Sequence, residues 1–239
     1  MTLLNALLTF FGRHSDIMTR ILALFLTFLV AVQAQAGAWP RQKGAGFASS
    51  AVRLSWPQDV STWVSAEPTS NYYTTYLEYG LTDRLTIGFD LGHAVSGSGK
   101  KIAFFQLPLR NKDRGPVVSG QLGFGQISGD WVLRPGVSFG WGRPNGWVSI
   151  DSVAEIHLDR GTTDYKLDVT WGRNLPRDRK LIVQIQTGET ALDPAFVRLA
   201  PSLVTPLGRR KRVKLETGAT WGLTGDTSMG LKMGVWLDF

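Results

Sequence analysis

Glu155, His157 and Asp159 stand two residues apart at the end of a stretch, 146–158, that alternates like a strand and is followed directly by Asp159, so their side chains should share one face. Asp151 lies further along that face, and Asp164 and Asp168 fall in the next alternating stretch. Carboxylates with a neutral imidazole suit a divalent cation and would attract cationic solutes, whereas the same groups could form a charge network closed by Arg134, Lys166 and water. A second possible chemistry is a histidine base beside a serine. Beyond residue 36 only His93 and His157 are available, and Ser96 and Ser98 near His93 lie in a Gly-rich loop. The basic groups Arg209, Arg210, Lys211, Arg212 and Lys214, with Arg173, Arg177, Arg179, Lys180 and Arg110, Lys112, Arg114, could bind phosphates, as could an isoelectric point near 9.9. Cysteine is absent, which excludes a disulfide framework, a thiolate metal site and a cysteine nucleophile.

The elements that must position these groups are extended. From residue 46 onward the chain reads as segments of about ten residues with period-two alternation separated by turn signals. Roughly twelve are visible: 46–56, 70–80, 84–94, 101–110, 116–127, 131–142, 146–158, 162–173, 180–189, 194–205, 211–222 and 227–239. No helical periodicity of comparable length occurs, and no fixed-length repeat suggests a propeller or solenoid.

The last segment places Met229, Leu231, Met233, Val235, Leu237 and the terminal Phe239 on one face, and Gly230, Lys232, Gly234, Trp236 and Asp238 on the other. This ending resembles the closing strand of bacterial outer-membrane β-barrels, in which alternating apolar residues and a final aromatic are read by the barrel-assembly machinery. The hairpin that runs from Tyr76 and Leu77 through Tyr79, Gly80, Leu81, Thr82, Asp83 and Arg84 to Leu85, Ile87 and Phe89 is similar to one common in outer-membrane transport barrels, including the phenol-degradation group. The resemblance implies an all-β fold: an antiparallel, up-and-down transmembrane β-barrel over 46–239, with both termini in the periplasm. It also implies outer-membrane lipids and lipopolysaccharide as surroundings, the assembly machinery as a partner, and no cofactor.

Export is legible at the other end. Met18, Thr19 and Arg20 form a basic n-region, 21–32 an apolar core, and Ala34, Gln35 and Ala36 a small-residue cleavage site. The expected organisation is a mis-assigned extension at 1–17, a signal peptide at 18–36 cleaved after Ala36, a periplasmic N-terminal segment at 37–45, and then the barrel. The rival reading, a helical anchor over 1–32, needs roughly 18–20 uninterrupted apolar residues, and Arg13, His14 and Asp16 interrupt the run. A hydrophobic content of 43% suits a barrel, since only alternate strand residues face lipid.

Strand parity sorts the charges. The apolar parity includes Val52, Leu54, Leu85, Ile87, Phe89, Leu91, Leu133, Val137, Phe139, Val148, Ile150, Leu167, Val169, Val183, Ile185, Leu199 and Leu215, with no ionised residue in the middle of any strand. The opposite parity carries the expected lumen-lining residues Arg53, Glu78, Asp90, Arg134, Asp151, Glu155, His157, Lys166, Asp168, Arg198, Lys214, Glu216 and Lys232, together with Arg84 and Asp238. Aromatic girdles are expected at Trp56, Trp131 and Trp221 on one rim and Tyr79, Trp141, Trp171 and Phe239 on the other, with Trp147 also near the inner end. Ten residues separate Trp131 from Trp141, about 25 Å for a tilted strand. Pro108, Pro135 and Pro201 fall in or near strands, where a bulge is expected to absorb each.

With Phe239 in the periplasm, the basic clusters fall in inner turns and Glu67, Asp130, Asp159, Asp164, Glu189, Asp193 and Asp226 at the outer end. Turn solvation and lipid headgroups then account for the basic runs, and nucleic acid is not an expected partner. The reading that follows is a narrow passive channel for small hydrophilic solutes. One alternative is a non-conducting structural barrel with a salt-bridged lumen. Another is an outer-membrane lipid hydrolase using His93, which has lipid-facing parity near the outer rim.

Overall fold

The computed structural model describes residues 37–111, 115–191 and 194–239. The expected extension and signal peptide, and Lys112, Arg114 and Asp193, lie outside the described residues. Twelve strands follow one another: β1 (Gly46–Pro57), β2 (Ser70–Gly80), β3 (Thr86–Ala94), β4 (Gly99–Arg110), β5 (Val117–Ile127), β6 (Asp130–Arg143), β7 (Gly146–His157), β8 (Thr162–Leu175), β9 (Arg179–Glu189), β10 (Phe196–Leu207), β11 (Val213–Thr224) and β12 (Ser228–Asp238). Each pairs antiparallel with its chain neighbours, and β12 returns to β1 to close the barrel.

Closure is made by the two ends of the chain's sheet. Phe47 stands opposite Asp238 and Pro57 opposite Ser228, with every residue between them in register. Beyond the strand end, Gly46 N–H donates to the Phe239 carbonyl at 2.6 Å and Phe239 N–H to the Gly46 carbonyl at 3.0 Å. No sheet edge is left, which a strand structure in hydrocarbon requires.

Alternation then divides the side chains. Ile87, Phe89, Leu91, Phe105, Leu107, Leu122, Phe124, Phe139, Leu167, Ile185, Leu231, Met233, Val235 and Leu237 are exposed on the outer wall. A continuous apolar wall of this kind marks contact with lipid rather than water. Trp131, Tyr79, Trp171, Trp221 and Phe239 are likewise exposed at strand ends. Trp147 departs from the expected inner girdle: it is 5% exposed and points inward, because its parity on β7 is that of Asp151 and Glu155.

The prolines behave differently from expectation. Only Pro108 sits at a register shift, between Pro108 and Arg110 against β5. Pro135 keeps its place opposite Leu122, and the β6–β7 ladder merely skips from Leu133↔Ile156 to Gly136↔Val153 in unchanged register. Pro201 likewise pairs with Val183 while β10 and β11 skip from Leu199↔Trp221 to Ser202↔Gly218. A missing N–H needs only a local gap toward one neighbour, since the other ladder is intact.

Turns are tight at both ends. Ser128 and Gly129 join β5 to β6 with φ of 50° and 94°, the mirror-type turn whose twist matches a hairpin. The long connection 58–69 carries a 3-10 turn, Val60–Thr62, capped by Asp59. Trp63 follows this turn as its C-cap. It stacks on Trp56 with ring centroids 6.3 Å apart, and its Nε1 donates to the Pro57 carbonyl at 3.0 Å.

A charge in the middle of the outer wall should therefore be costly. Phe89→Lys is expected to destabilise the protein refolded in lipid vesicles by about 2–4 kcal/mol in urea titrations. A loss no larger than that of a rim substitution such as Leu81→Lys would contradict the lipid-facing assignment of β3.

Candidate functional site

The lumen gathers charged and titratable side chains, and among the described residues they sort into levels. Near the outer end, His157 Nε2 lies 3.2 Å from Asp164 Oδ2 and its Nδ1 3.5 Å from Asp130 Oδ2, while Arg160 pairs with that same Asp130 oxygen. Arg198 grips Asp226 through Nε at 2.6 Å and Nη2 at 2.5 Å. Burial pushes the Asp226 carboxyl up, but hydrogen bonds from Ser228 and the Arg198 guanidinium outweigh it and hold the group below the usual carboxylate range.

In the middle, Asp90 receives Lys100 at 2.8 Å and Arg134 at 2.7 Å. Glu155, only 1% exposed, receives Lys166 at 2.6 Å, with Arg134 at 3.9 Å. Arg53 stands 5.8 Å over the Tyr72 ring. Toward the inner end, Glu78 accepts from Tyr76 and from Arg41, both at 2.6 Å. Glu216 accepts from Lys232 at 2.8 Å and Trp236 Nε1 at 2.9 Å, and Lys214 pairs with Asp238. Buried charges are tolerable only when paired in this way.

Asp151 and Asp168 differ from these carboxylates. They stand directly opposite each other on β7 and β8. Neither has a salt bridge among the described residues; Asp151 Oδ2 accepts from Ser149 at 3.0 Å, and its buried Oδ1 has no hydrogen-bond partner.

The three residues that could have suited a divalent cation do not converge. Glu155 is turned to Lys166, His157 to Asp164 and Asp130, and Asp159 accepts the Trp131 backbone N–H at 2.8 Å in the outer turn. Among the described residues no group of three or more His, Asp and Glu side chains could hold a metal ion. Arg84, read as inward-facing, is exposed in the β2–β3 turn, since the hairpin closes two residues later than its alternation suggested. His93 is exposed on the outer wall, and Ser96 and Ser98 face each other at 3.5 Å.

Two features of the lumen went unread in the sequence. The first is an apolar cluster at the inner end, where Trp147, Ile182 and Val204 are buried with Trp39 and Trp236 against them. Phe47 meets Trp236 edge-on at 5.5 Å. The even parity of Trp236 and the Asp151 parity of Trp147 were the available signals.

The second is segment 37–45, expected as a periplasmic lead-in, which enters the barrel from its inner end. Gly44 N–H donates to the Gly80 carbonyl at 2.8 Å and Lys43 N–H to Asp83 at 3.3 Å, at the rim. Deeper, Arg41 N–H donates to Thr86 Oγ1 at 2.9 Å while its side chain holds Glu78. Trp39 packs so closely on Gly140 that a Cβ there would run into its ring, and Ala38 is fully buried. The Gly37 carbonyl accepts from Gln106 Nε2 and, at 3.3 Å, from Ser119 Oγ. A Cβ on Gly37 would collide with Asp151 Oδ1, so the chain reaches the unpaired acids at a position where only glycine fits.

A closed antiparallel barrel of this kind is the fold of solved outer-membrane channels. The KdgM porin, solved alone and in complex with disordered oligogalacturonate, superposes with TM-scores of 0.60 and 0.61 at 9% identity, over 80% of this chain and 99% of that one. An outer-membrane channel from Pseudomonas putida F1 superposes with a TM-score of 0.58 at 10% identity, over 86% of this chain and 99% of that one. No protein-family model and no curated protein matches the sequence. The likeness is therefore one of fold.

Arg134 is the cation shared between the buried Glu155 and the partly buried Asp90. Arg134→Gln should destabilise the barrel by about 1–3 kcal/mol, less than full isolation of a buried charge, because Lys100 and Lys166 remain. Adding Glu155→Gln should recover part of the loss in a urea double-mutant cycle. A cost no greater than that of Arg173→Gln at the rim would show that the shared contact carries no stability.

Proposed function

We propose that the chain is exported, inserted in the outer membrane by the barrel-assembly machinery, and acts there as a narrow passive channel for small hydrophilic solutes. The observation that carries this reading is the two-sided character of the closed barrel. Its outer wall is apolar, while Arg53, Asp90, Arg134, Glu155, Lys166, Arg198 and Asp226 line its middle and outer interior. Charges of both signs alternate along that path, so solutes need not be of one sign. The fold likeness to channels supports the reading. The oligogalacturonate bound by the KdgM porin is a property of that protein, and at 9% identity no sugar specificity transfers.

Constriction belongs to the inner end. Trp39, Trp147 and Trp236 occupy the space that the outer half leaves to charged groups. Conductance should accordingly be small. The basic inner turns, Arg209, Arg210 and Arg212 among them, are exposed and placed to meet lipid headgroups.

Planar-bilayer recording of the refolded protein tests the proposal. Discrete, small conductance steps are expected; no ion current under any salt or voltage would leave a structural barrel instead. Arg53→Gln combined with Arg198→Gln removes two cations from the outer path and releases Asp226, so the reversal potential in a salt gradient should shift toward cation selectivity. An unchanged reversal potential would remove those residues from the conduction path.

A further inference from the structure

The unpaired acids and the inserted segment meet at Gly37, and from this meeting we infer that the α-ammonium created at Gly37 by signal-peptide cleavage is the missing counter-ion of Asp151 and Asp168. The inference rests on cleavage after Ala36. Hydrolysis of the Ala36–Gly37 bond by the export peptidase adds water across it, leaving a carboxylate on the departing leader and an amine on Gly37 that takes up a proton. Such an amine ordinarily titrates near ~8, so it is a cation at neutral pH.

Three observations place that cation among the two acids. Asp151 and Asp168 are direct cross-strand partners, an arrangement that like charges make unfavourable unless a cation lies between them. Among the described strand carboxylates of the lumen, Glu78, Asp90, Asp130, Glu155, Glu216 and Asp238 each have a Lys or Arg partner, and Asp164 has His157. The Gly37 Cα lies against Asp151 Oδ1, the buried oxygen without a hydrogen-bond donor, while the Gly37 carbonyl is fixed on the other side by Gln106 and Ser119. An ammonium at that position brings three donors to a buried carboxylate oxygen that lacks one.

The consequence is a latch made by processing. Before cleavage the nitrogen of Gly37 is a neutral amide with a single donor; afterwards it is a charge held inside the barrel. The segment that carries Trp39 into the inner end is then pinned at both ends, by Gly44 on Gly80 at the rim and by Gly37 on the acid pair.

Intact mass of the protein taken from outer membranes reads the cleavage site directly, and a mature chain beginning elsewhere than Gly37 overturns the inference. Docking is read separately, on refolded 37–239 produced with its initiator methionine removed. An amine-reactive ester at pH 8 should label the Gly37 amine at least tenfold more slowly than in urea, by mass spectrometry of the N-terminal peptide. In Asp151→Asn/Asp168→Asn, whose folding is checked by heat-modifiable gel mobility, that protection should fall at least fivefold. Asp168→Asn alone serves if the double variant does not fold. Labelling at the unfolded rate, or protection untouched by these substitutions, overturns the inference. Neither readout requires ion current, so a silent barrel would count against the channel and leave the latch standing.

Discussion

Everything in this molecule depends on one constraint: hydrocarbon offers no hydrogen bonds, so every peptide group in the wall must find its partner within the sheet. The β1–β12 ladder satisfies it, because without that pairing two whole strands would each present an unpaired edge to lipid. Closure also fixes parity. Once the sheet is a cylinder, each strand has one face toward lipid and one toward the lumen, and a one-residue slip would exchange Phe89 for Asp90 on the outer wall.

The inner face inherits the opposite problem. Side chains there are removed from bulk water without being offered lipid, so ionised groups must be neutralised by one another. Shared cations do this economically: Arg134 serves Asp90 and Glu155, while Lys100 and Lys166 complete the pairs from neighbouring strands. Because partners come from β3, β4, β6, β7 and β8, the network ties together strands that the ladder joins only in sequence.

Parity made most of this legible. Strand boundaries fall within two residues of those read from alternation, since a wall with lipid on one side forces the pattern to be strict. What parity cannot show is contact between distant strands. Glu155, His157 and Asp159 do share a stretch, but each is claimed by a partner from another strand or turn, and sequence spacing holds no record of that. Trp147 was misread because aromatics at strand ends suggest a girdle, although its own parity pointed inward. Segment 37–45 has no alternation at all, so nothing local distinguishes a chain lying in the periplasm from one lying in the lumen.

The width of the barrel explains why such a segment is needed. A closed sheet of about eight strands is filled by its own side chains, and one of about sixteen leaves an open aqueous channel. Twelve strands enclose an intermediate space. Apolar side chains from the wall do not fill it alone: Trp39 from segment 37–45 packs with Trp236 against the cluster of Trp147, Ile182 and Val204. In the outer half charged side chains pair instead, as Arg198 does with Asp226. The same width thus yields a packed inner end, where segment 37–45 lies, and a charged outer one.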